Sequence, residues 1–431
     1  MPKRLLIITY YWPPAGGSGV QRWLKFTKYL REFGWEPVIY TPQNPEVVLL
    51  DKTLHADIPK GVEVLKRNIF EPYKVFRLFT RQKGKMGVGF TSEEGKSKGL
   101  FGRIALWARA NLFIPDARMF WVRPSVRFLA KYLKKHPVDA VVSTGPPHSM
   151  HLIALGLKQR LGVKWVADFR DPWTNIDYFS DLPLTTRSLK KHRKLERDVL
   201  INADEVVVVG SQMQEEFEQL SSRKVQVITN GFDEADFPEQ SAEPDQYFTI
   251  THIGTIPPNR NCEFLWQAMG SLIISNKAFA SKLSIQLVGT IDKSVRDQLE
   301  KYGLNDYCTF FGYLDHTTSV QLMQRSQVLL LLVNNTPNAK GILTGKVFEY
   351  LAAQRPIIAI GPLGGDVDNL LKEAKAGVTA NFSDYTDILT KLTWLWGEYE
   401  QGFPFLSDIE NAAYSRRNLT GRLVEILNNL S

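Results

Sequence analysis

Cysteine is scarce in this chain. Its 431 residues hold two, Cys262 and Cys308, which excludes a disulfide-stapled secreted scaffold and fits a reducing cytosol. No run of about 18 apolar residues occurs, so no membrane-spanning helix is expected. The opening MPKRLLIITYYWPPAGG has a short apolar stretch that ends in prolines and glycines. It reads as a first strand rather than a signal peptide. Two phosphate-binding patterns are missing as well. GGSGVQR (16–22) has the wrong spacing for G-x-G-x-x-G, and no GK[ST] follows it. Acidic residues are sparse in one window: residues 73–135 carry 3 against 15 basic ones.

What is present describes a globular chain of two domains. A hydrophobic share of 44% against 23% charged residues is enough to bury sizeable cores, and the length exceeds what one core usually fills. Charge is uneven. Residues 1–240 carry 37 Lys and Arg against 26 Asp and Glu, whereas 241–431 carry 16 against 19. The basic window 73–135 also holds Phe76, Phe79, Phe90, Phe101, Trp107, Phe113, Phe120, Trp121 and Phe128. Basic and large apolar residues together suit an anionic membrane surface or nucleic acid. A solvated basic face over a helical core accounts for the window equally well.

Apolar, β-branched runs recur along the chain. In the first half they lie at 4–10, 37–41, 140–144, 164–169, 205–210 and 225–231. In the second half they lie at 248–254, 282–289, 308–314, 327–333 and 356–362. Helical patterns fall between them, at Val20–Phe33, His151–Leu161, Cys262–Ile274 and Thr317–Arg325. Such alternation predicts parallel sheets covered on both faces, in two doubly wound domains. The expected boundaries are 1–240 and 247–409, with a polar linker over 234–246 and a closing amphipathic helix in 410–431. Residues 80–100, rich in Gly, Lys and Ser, are expected to be mobile.

Sites in open α/β sheets lie at the carboxyl ends of strands, and five such loops stand out. Gly16 to Gly19 precede a helix whose N-terminus attracts anions; a tight turn capped by Ser18 explains them as well. STGPPHSMH offers His148 and His151, a spacing that is poor evidence for zinc. ADFRDPW places Asp168, Arg170 and Asp171 together, to orient sugar hydroxyls or to form a salt-bridged corner. HIGTIPPNRN sets Gly254 at a strand end and Arg260 before a helix, which suits a pyrophosphate. In GKVFEYLAAQRP, Lys346 and Glu349 share a helix face. The lysine suits phosphate and the carboxylate suits ribose hydroxyls; a weak i,i+3 ion pair is the plain alternative.

Taken in order, these segments resemble the retaining glycosyltransferases of the GT-B fold, family 4. The resemblance rests on Gly16–Gly19, ADFRDPW (167–173), ITNGFDEADF (228–237), HIGTIPPNRN (252–261), FFGYLDHTTSVQLMQRSQVLLLL (310–332) and KVFEYLAAQRPIIAIGPLGGD (346–366). It implies two Rossmann-like domains facing a cleft, the first for the acceptor and the second for the donor. The closing YSRRNLT helix would return to the first domain. Glu349 would hold the ribose, Arg260 and Lys346 the phosphates, and Gly16, Gly17 and Gly254 would approach the donor. Their missing side chains would leave room for it. His148, Asp168 and Asp171 are the catalytic candidates.

The chain departs from the family pattern at three places. Gly341 stands where the first Glu of E-x7-E is usual, Thr255 where an Arg often follows the strand-end glycine, and STGPPH replaces the first-domain histidine motif. The implied reaction retains configuration, with the donor phosphate helping to deprotonate the acceptor hydroxyl. No metal or other cofactor is expected, and Asp366-Val367-Asp368 reads as incidental. The implied partners are a UDP- or GDP-linked sugar and a sugar or lipid-linked acceptor, without nucleic acid. The setting is the cytoplasm, with attachment to the inner membrane face through 73–135 as an added option. Bacterial surface polysaccharide or glycolipid synthesis is the leading process. Two other readings stand beside it: a nucleotide-sugar epimerase or hydrolase on the same fold, and a non-enzymatic basic protein that binds nucleic acid or membrane.

Overall fold

The computed structural model describes residues 2–47, 49–71, 100–176, 179–237, 243–403 and 409–430. Most of the expected mobile segment 80–100, the aromatics Phe76, Phe79 and Phe90, and residues 238–242 of the expected linker lie outside these. The chain divides into two compact units, residues 1–229 with 417–431, and residues 230–416.

The first unit is built on a seven-stranded sheet of order β3-β2-β1-β4-β5-β6-β7. Its strands are β1 (Lys3–Ile8), β2 (Trp35–Pro42), β3 (Glu63–Arg67), β4 (Ala140–Gly145), β5 (Trp165–Phe169), β6 (Glu205–Val208) and β7 (Gln226–Val227). Every pairing is parallel. A strand covered by helices on both faces must be apolar throughout, and β4 and β5 are buried along their whole length. One face packs on Trp121, Met150 and Phe217. The other packs on Val20, Trp23 and Phe26, together with Leu419, Leu423 and Leu427 of the closing helix Arg416–Asn428.

The second unit repeats the plan with six parallel strands in the order β10-β9-β8-β11-β12-β13. They are β8 (Phe248–Ile253), β9 (Leu283–Val288), β10 (Cys308–Gly312), β11 (Val328–Leu332), β12 (Ile357–Gly361) and β13 (Gly377–Asn381). Two doubly wound Rossmann-like domains are therefore present.

Three expectations need correction. The strands β3 and β13 carry no long apolar run and were missed. Both are sheet edges, where one side needs no partner and polar residues such as Glu63 and Asn381 are tolerated. The division between the units falls at Thr229 and Asn230, not near 240. Phe232 sits in a core of the second unit, with Phe237 packed against it. Finally, the helix Ser18–Leu30 takes Gly17 as its N-cap residue, at φ 93°, instead of Ser18.

Candidate functional site

In the second unit, strand ends meet glycine to glycine. Gly254, after β8, has φ 140°, a conformation that side chains rarely adopt. Its N–H bonds to Val288 O at 2.9 Å. A Cβ on Gly289 would come within 2.6 Å of Gly254 O. The backbone is thus drawn tight at the carboxyl ends of β8 and β9, and polar side chains gather there.

Arg260 closes the turn Pro258–Arg260. Its Nε donates to Asn334 Oδ1, and its Nη1 donates to Thr255 O at 3.3 Å. Burial lowers its pKa from the usual value. His252 is 3% exposed. Its Nδ1 must donate to Leu330 O, at 2.9 Å, because a carbonyl only accepts. That leaves Nε2 as a bare acceptor, buried and unpartnered. Burial pushes the imidazole down to about 4; the bond to Leu330 opposes this, and the charges of Arg260 and Lys346 reinforce it. Both cations therefore act on the same histidine.

Lys346 and Glu349 stand on the helix Gly345–Ala352, 2.7 Å apart and about one-third exposed. Tyr350 fixes this helix to the sheet, since its hydroxyl accepts from Ile253 N at 2.9 Å. No side chain caps the helix N-terminus. The hydroxyl oxygen of Thr344, at the cap position, is buried without a partner. A helix start that lacks a side-chain cap and carries Lys346 in its first turn is a place for an anion. Of the residues singled out in the sequence, Gly254, Arg260, Lys346 and Glu349 belong to this unit. His252 and Thr344 were missed, although His252 lies directly in HIGT.

Asp366-Val367-Asp368 is tied down locally. Asp368 is 2% exposed and accepts from Gly364 N and Lys372 Nζ, both at 2.7 Å. Among the described residues no group of three His, Cys, Asp or Glu is arranged to hold a metal ion.

In the first unit the reason for the glycines differs from the expected one. A Cβ on Gly16 would meet Asp51 Cβ at 2.9 Å, and on Gly19 it would meet Arg170 Nη1 at 3.0 Å. The chain's own side chains fill that space. Only at Gly17 is the space open, and there the positive φ demands glycine.

Asp168, on β5, is 1% exposed. It accepts from Arg22 Nη2 (2.8 Å), Trp23 Nε1 (2.7 Å) and Thr144 Oγ1 (2.8 Å). Burial raises its pKa, but Arg22 and these bonds outweigh burial and hold it below the usual carboxylate range. Arg22 also donates to Ile228 O and Thr229 O. Asp168 pairs with Arg22 and not with its neighbour Arg170, so the expected corner within ADFRDPW does not form around it. Arg170 Nη2 donates instead to Pro146 O. Asp171 is exposed.

His148 and His151 flank Gly145, where a Cβ would lie 3.0 Å from His148 Nδ1 and 2.5 Å from His151 Nε2. Trp165 Nε1 donates to Ser143 Oγ at 2.8 Å, and the same hydroxyl shares a hydrogen bond of 2.8 Å with His151 Nδ1. Burial, opposed by Asp168 and reinforced by Arg170, pushes His151 to about 3. Burial, His151, Arg170 and His192 depress His148 well below its ordinary value.

Comparison with known proteins gives the family and the fold. Residues 16–231 match the family described as glycosyl transferase 4-like domain, and residues 247–398 match glycosyl transferases group 1. A search of curated proteins finds no match. Among solved structures the chain is similar to a glycosyltransferase from Rickettsia africae ESF-5, with 15% identity, TM-score 0.64, and 100% and 98% of the two chains covered. A sucrose-phosphate synthase from Thermosynechococcus elongatus gives 14%, 0.61, and 99% of each chain. The Anabaena protein HepE in complex with UDP gives 14%, 0.61, and 99% and 100%. At such identities the structures speak for the fold, and the family models carry the assignment. The chain belongs to the glycosyltransferases with a glycosyl transferase 4-like domain, followed here by a group 1 domain, and has the GT-B fold.

Proposed function

We propose that the chain transfers a sugar, with retention of configuration, from a UDP- or GDP-linked donor to a hydroxyl of a sugar or lipid-linked acceptor. The observation that carries this reading is the convergence of Arg260 and Lys346 on His252 beside an uncapped helix start. A nucleoside diphosphate supplies the two features that this place lacks. Its phosphates bring negative charge to the cations and the N–H groups, and its ribose hydroxyls bring donors to Glu349. Arg260, Lys346 and the helix dipole supply the positive charge that the leaving diphosphate needs, so the reading includes no metal.

In the first unit, His148 and Asp171 are the groups assigned to the acceptor. Asp168 acts as a positioning residue, because its carboxylate is already committed to Arg22, Trp23 and Thr144. Work at the inner face of a bacterial membrane, in surface polysaccharide or glycolipid synthesis, is supported by exposed apolar and basic groups of the first unit. Phe70, Ile104, Trp107, Leu112 and Phe120 are all more than 40% exposed. Arg123, Arg127 and Lys131 are exposed one helical turn apart on the helix Met119–Leu133. Exposed apolar and basic groups together suit anionic lipid. No described helix is long and apolar enough to cross a membrane.

The test is thermal stabilisation by UDP, GDP, ADP, CMP and their sugar conjugates. Ligand at 100 times its Kd adds about 2.7 kcal/mol. One diphosphate is expected to stabilise the chain, and Glu349→Ala to abolish the effect. An unchanged affinity in that variant would sink the site. The anomeric proton coupling of the product reports retention. Sugar release without any acceptor would favour the hydrolase or epimerase reading.

A further inference from the structure

The first unit holds a cavity of about 100 Å³ that the donor reading leaves unused. Its walls are mostly apolar, with Phe113, Phe179 and Leu182 among them, and His148, Trp173 and His192 also face it. Charged groups in the lining cancel. Asp116 accepts from Ser149 N at 2.9 Å, from Ser149 Oγ at 2.8 Å and from Arg118 N at 2.9 Å. Arg118 pairs with Glu71 at 2.9 Å, and both are nearly buried. Glu71, outside the lining, offsets Arg118, and Arg109 and Asp116 are opposite in sign, so no net charge remains.

The polar atoms left over belong to two histidines. Trp173 Nε1 donates to His192 Nδ1 at 3.1 Å, so the neutral His192 ring carries its proton on Nε2. Burial keeps this ring neutral, pushing it to about 4. His148 stacks on Trp173 with centroids 4.5 Å apart and planes 4° apart. Its Nδ1 is sealed beside Gly145, so its Nε2 edge is the part left for the cavity. Among the described residues, neither Nε2 bonds to protein. A stacked aromatic pair, apolar side chains and two neutral ring nitrogens in one lining form the kind of pocket that fixes a small molecule by shape and a few polar contacts.

We propose that this cavity binds the acceptor as a neutral ring with a carbon-rich face, whose hydroxyl bonds to His148 and His192. The assignment to the acceptor rests on the transferase reading; the chemistry of the cavity does not. Asp116 in the lining repels a phosphate or carboxylate, and Arg118 is spent on Glu71, so any anionic part of the acceptor lies elsewhere. A site built to bond a hydroxyl also rejects analogues that lack it.

The experiment uses the full chain without nucleotide. Phenyl β-D-glucoside, galactoside and mannoside are titrated in and followed through the histidine ring resonances. Glucose 6-phosphate and glucuronic acid serve as anionic comparisons. At least one phenyl glycoside is expected to shift the rings of His148 and His192 and leave His252, in the other unit, unmoved. Ala110→Leu, which fills the cavity, should weaken that binding at least about tenfold while stabilisation by UDP or GDP persists. Trp173→Phe keeps the stack, frees His192 Nδ1 and should weaken binding by about tenfold. The proposal is overturned if no neutral glycoside shifts either ring, if the anionic sugars bind more tightly, or if Ala110→Leu binds as the parent does. Glycoside binding without any nucleotide effect would remove the transferase reading and keep the cavity. Nucleotide binding without glycoside binding would remove the cavity alone.

Discussion

The two units place an acid and a base together near their strand ends in opposite ways. Arg22 and Asp168 are about 2% exposed, and every outward direction of the carboxylate is taken by a partner. Lys346 and Glu349 are 36% and 27% exposed, stand beside an uncapped helix start, and have each other at 2.7 Å. A saturated buried pair has nothing left to offer a ligand, and it fails badly if one member is lost. A half-open pair stabilises the fold little, and it can exchange its partner for a ligand at small cost. Saturation thus separates a structural pair from a binding pair more sharply than residue type does. That contrast is why Asp168 is assigned to positioning and Glu349 to binding.

The largest effect should come from breaking the saturated pair. Asp168→Ala leaves Arg22 buried without its counter-charge, at an expected loss of about 3–5 kcal/mol in the unfolding of the first unit. Denaturant unfolding followed by fluorescence measures it. Loss of less than about 1 kcal/mol would place Asp168 outside the structural role.

A smaller effect concerns pH. Burial, with Glu216 adding to it and Thr174 opposing, raises Glu196 from 4.5 to about 7. The folded state then holds a proton that the unfolded state has lost, so stability falls as pH rises from about 4.5 to about 7 and the full penalty remains above that. Glu196→Gln is expected to be more stable than the parent at pH 8, by up to about 3 kcal/mol, with the gain vanishing near pH 4. The histidines act in the other direction. His192 and His252 are held at about 4, below the ordinary 6.5. Each costs stability as pH falls from 6.5 toward 4, because only the unfolded chain takes up the proton. Melting scans from pH 4 to 8 on parent and variant separate the two contributions.

The smallest effect on stability should come from the open pair. Lys346→Ala is expected to change unfolding by less than about 1 kcal/mol, while nucleotide affinity falls at least about tenfold. A large loss of stability without loss of affinity would reverse the comparison between the two pairs.

The sequence by itself determined the two parallel sheets, because strands buried on both faces must be apolar along their length, and runs such as AVVST and QVLLLLV show it. It determined the strand-end loop that carries Gly254 and Arg260, since turns need glycine and proline in legible positions, and the helix that carries Lys346 and Glu349. The edge strands β3 and β13 stayed hidden, because an edge tolerates polar residues. Only the tertiary structure decided which partners the charged groups take. Asp168 meets Arg22 across 146 positions, while its near neighbour Arg170 turns to Pro146. It also decided that Leu49, Asp51 and Arg170 crowd the first glycine loop, and that two histidines share one buried tryptophan. Long-range pairing depends on how the helices close over the sheet, and that packing leaves no local mark in the order of residues.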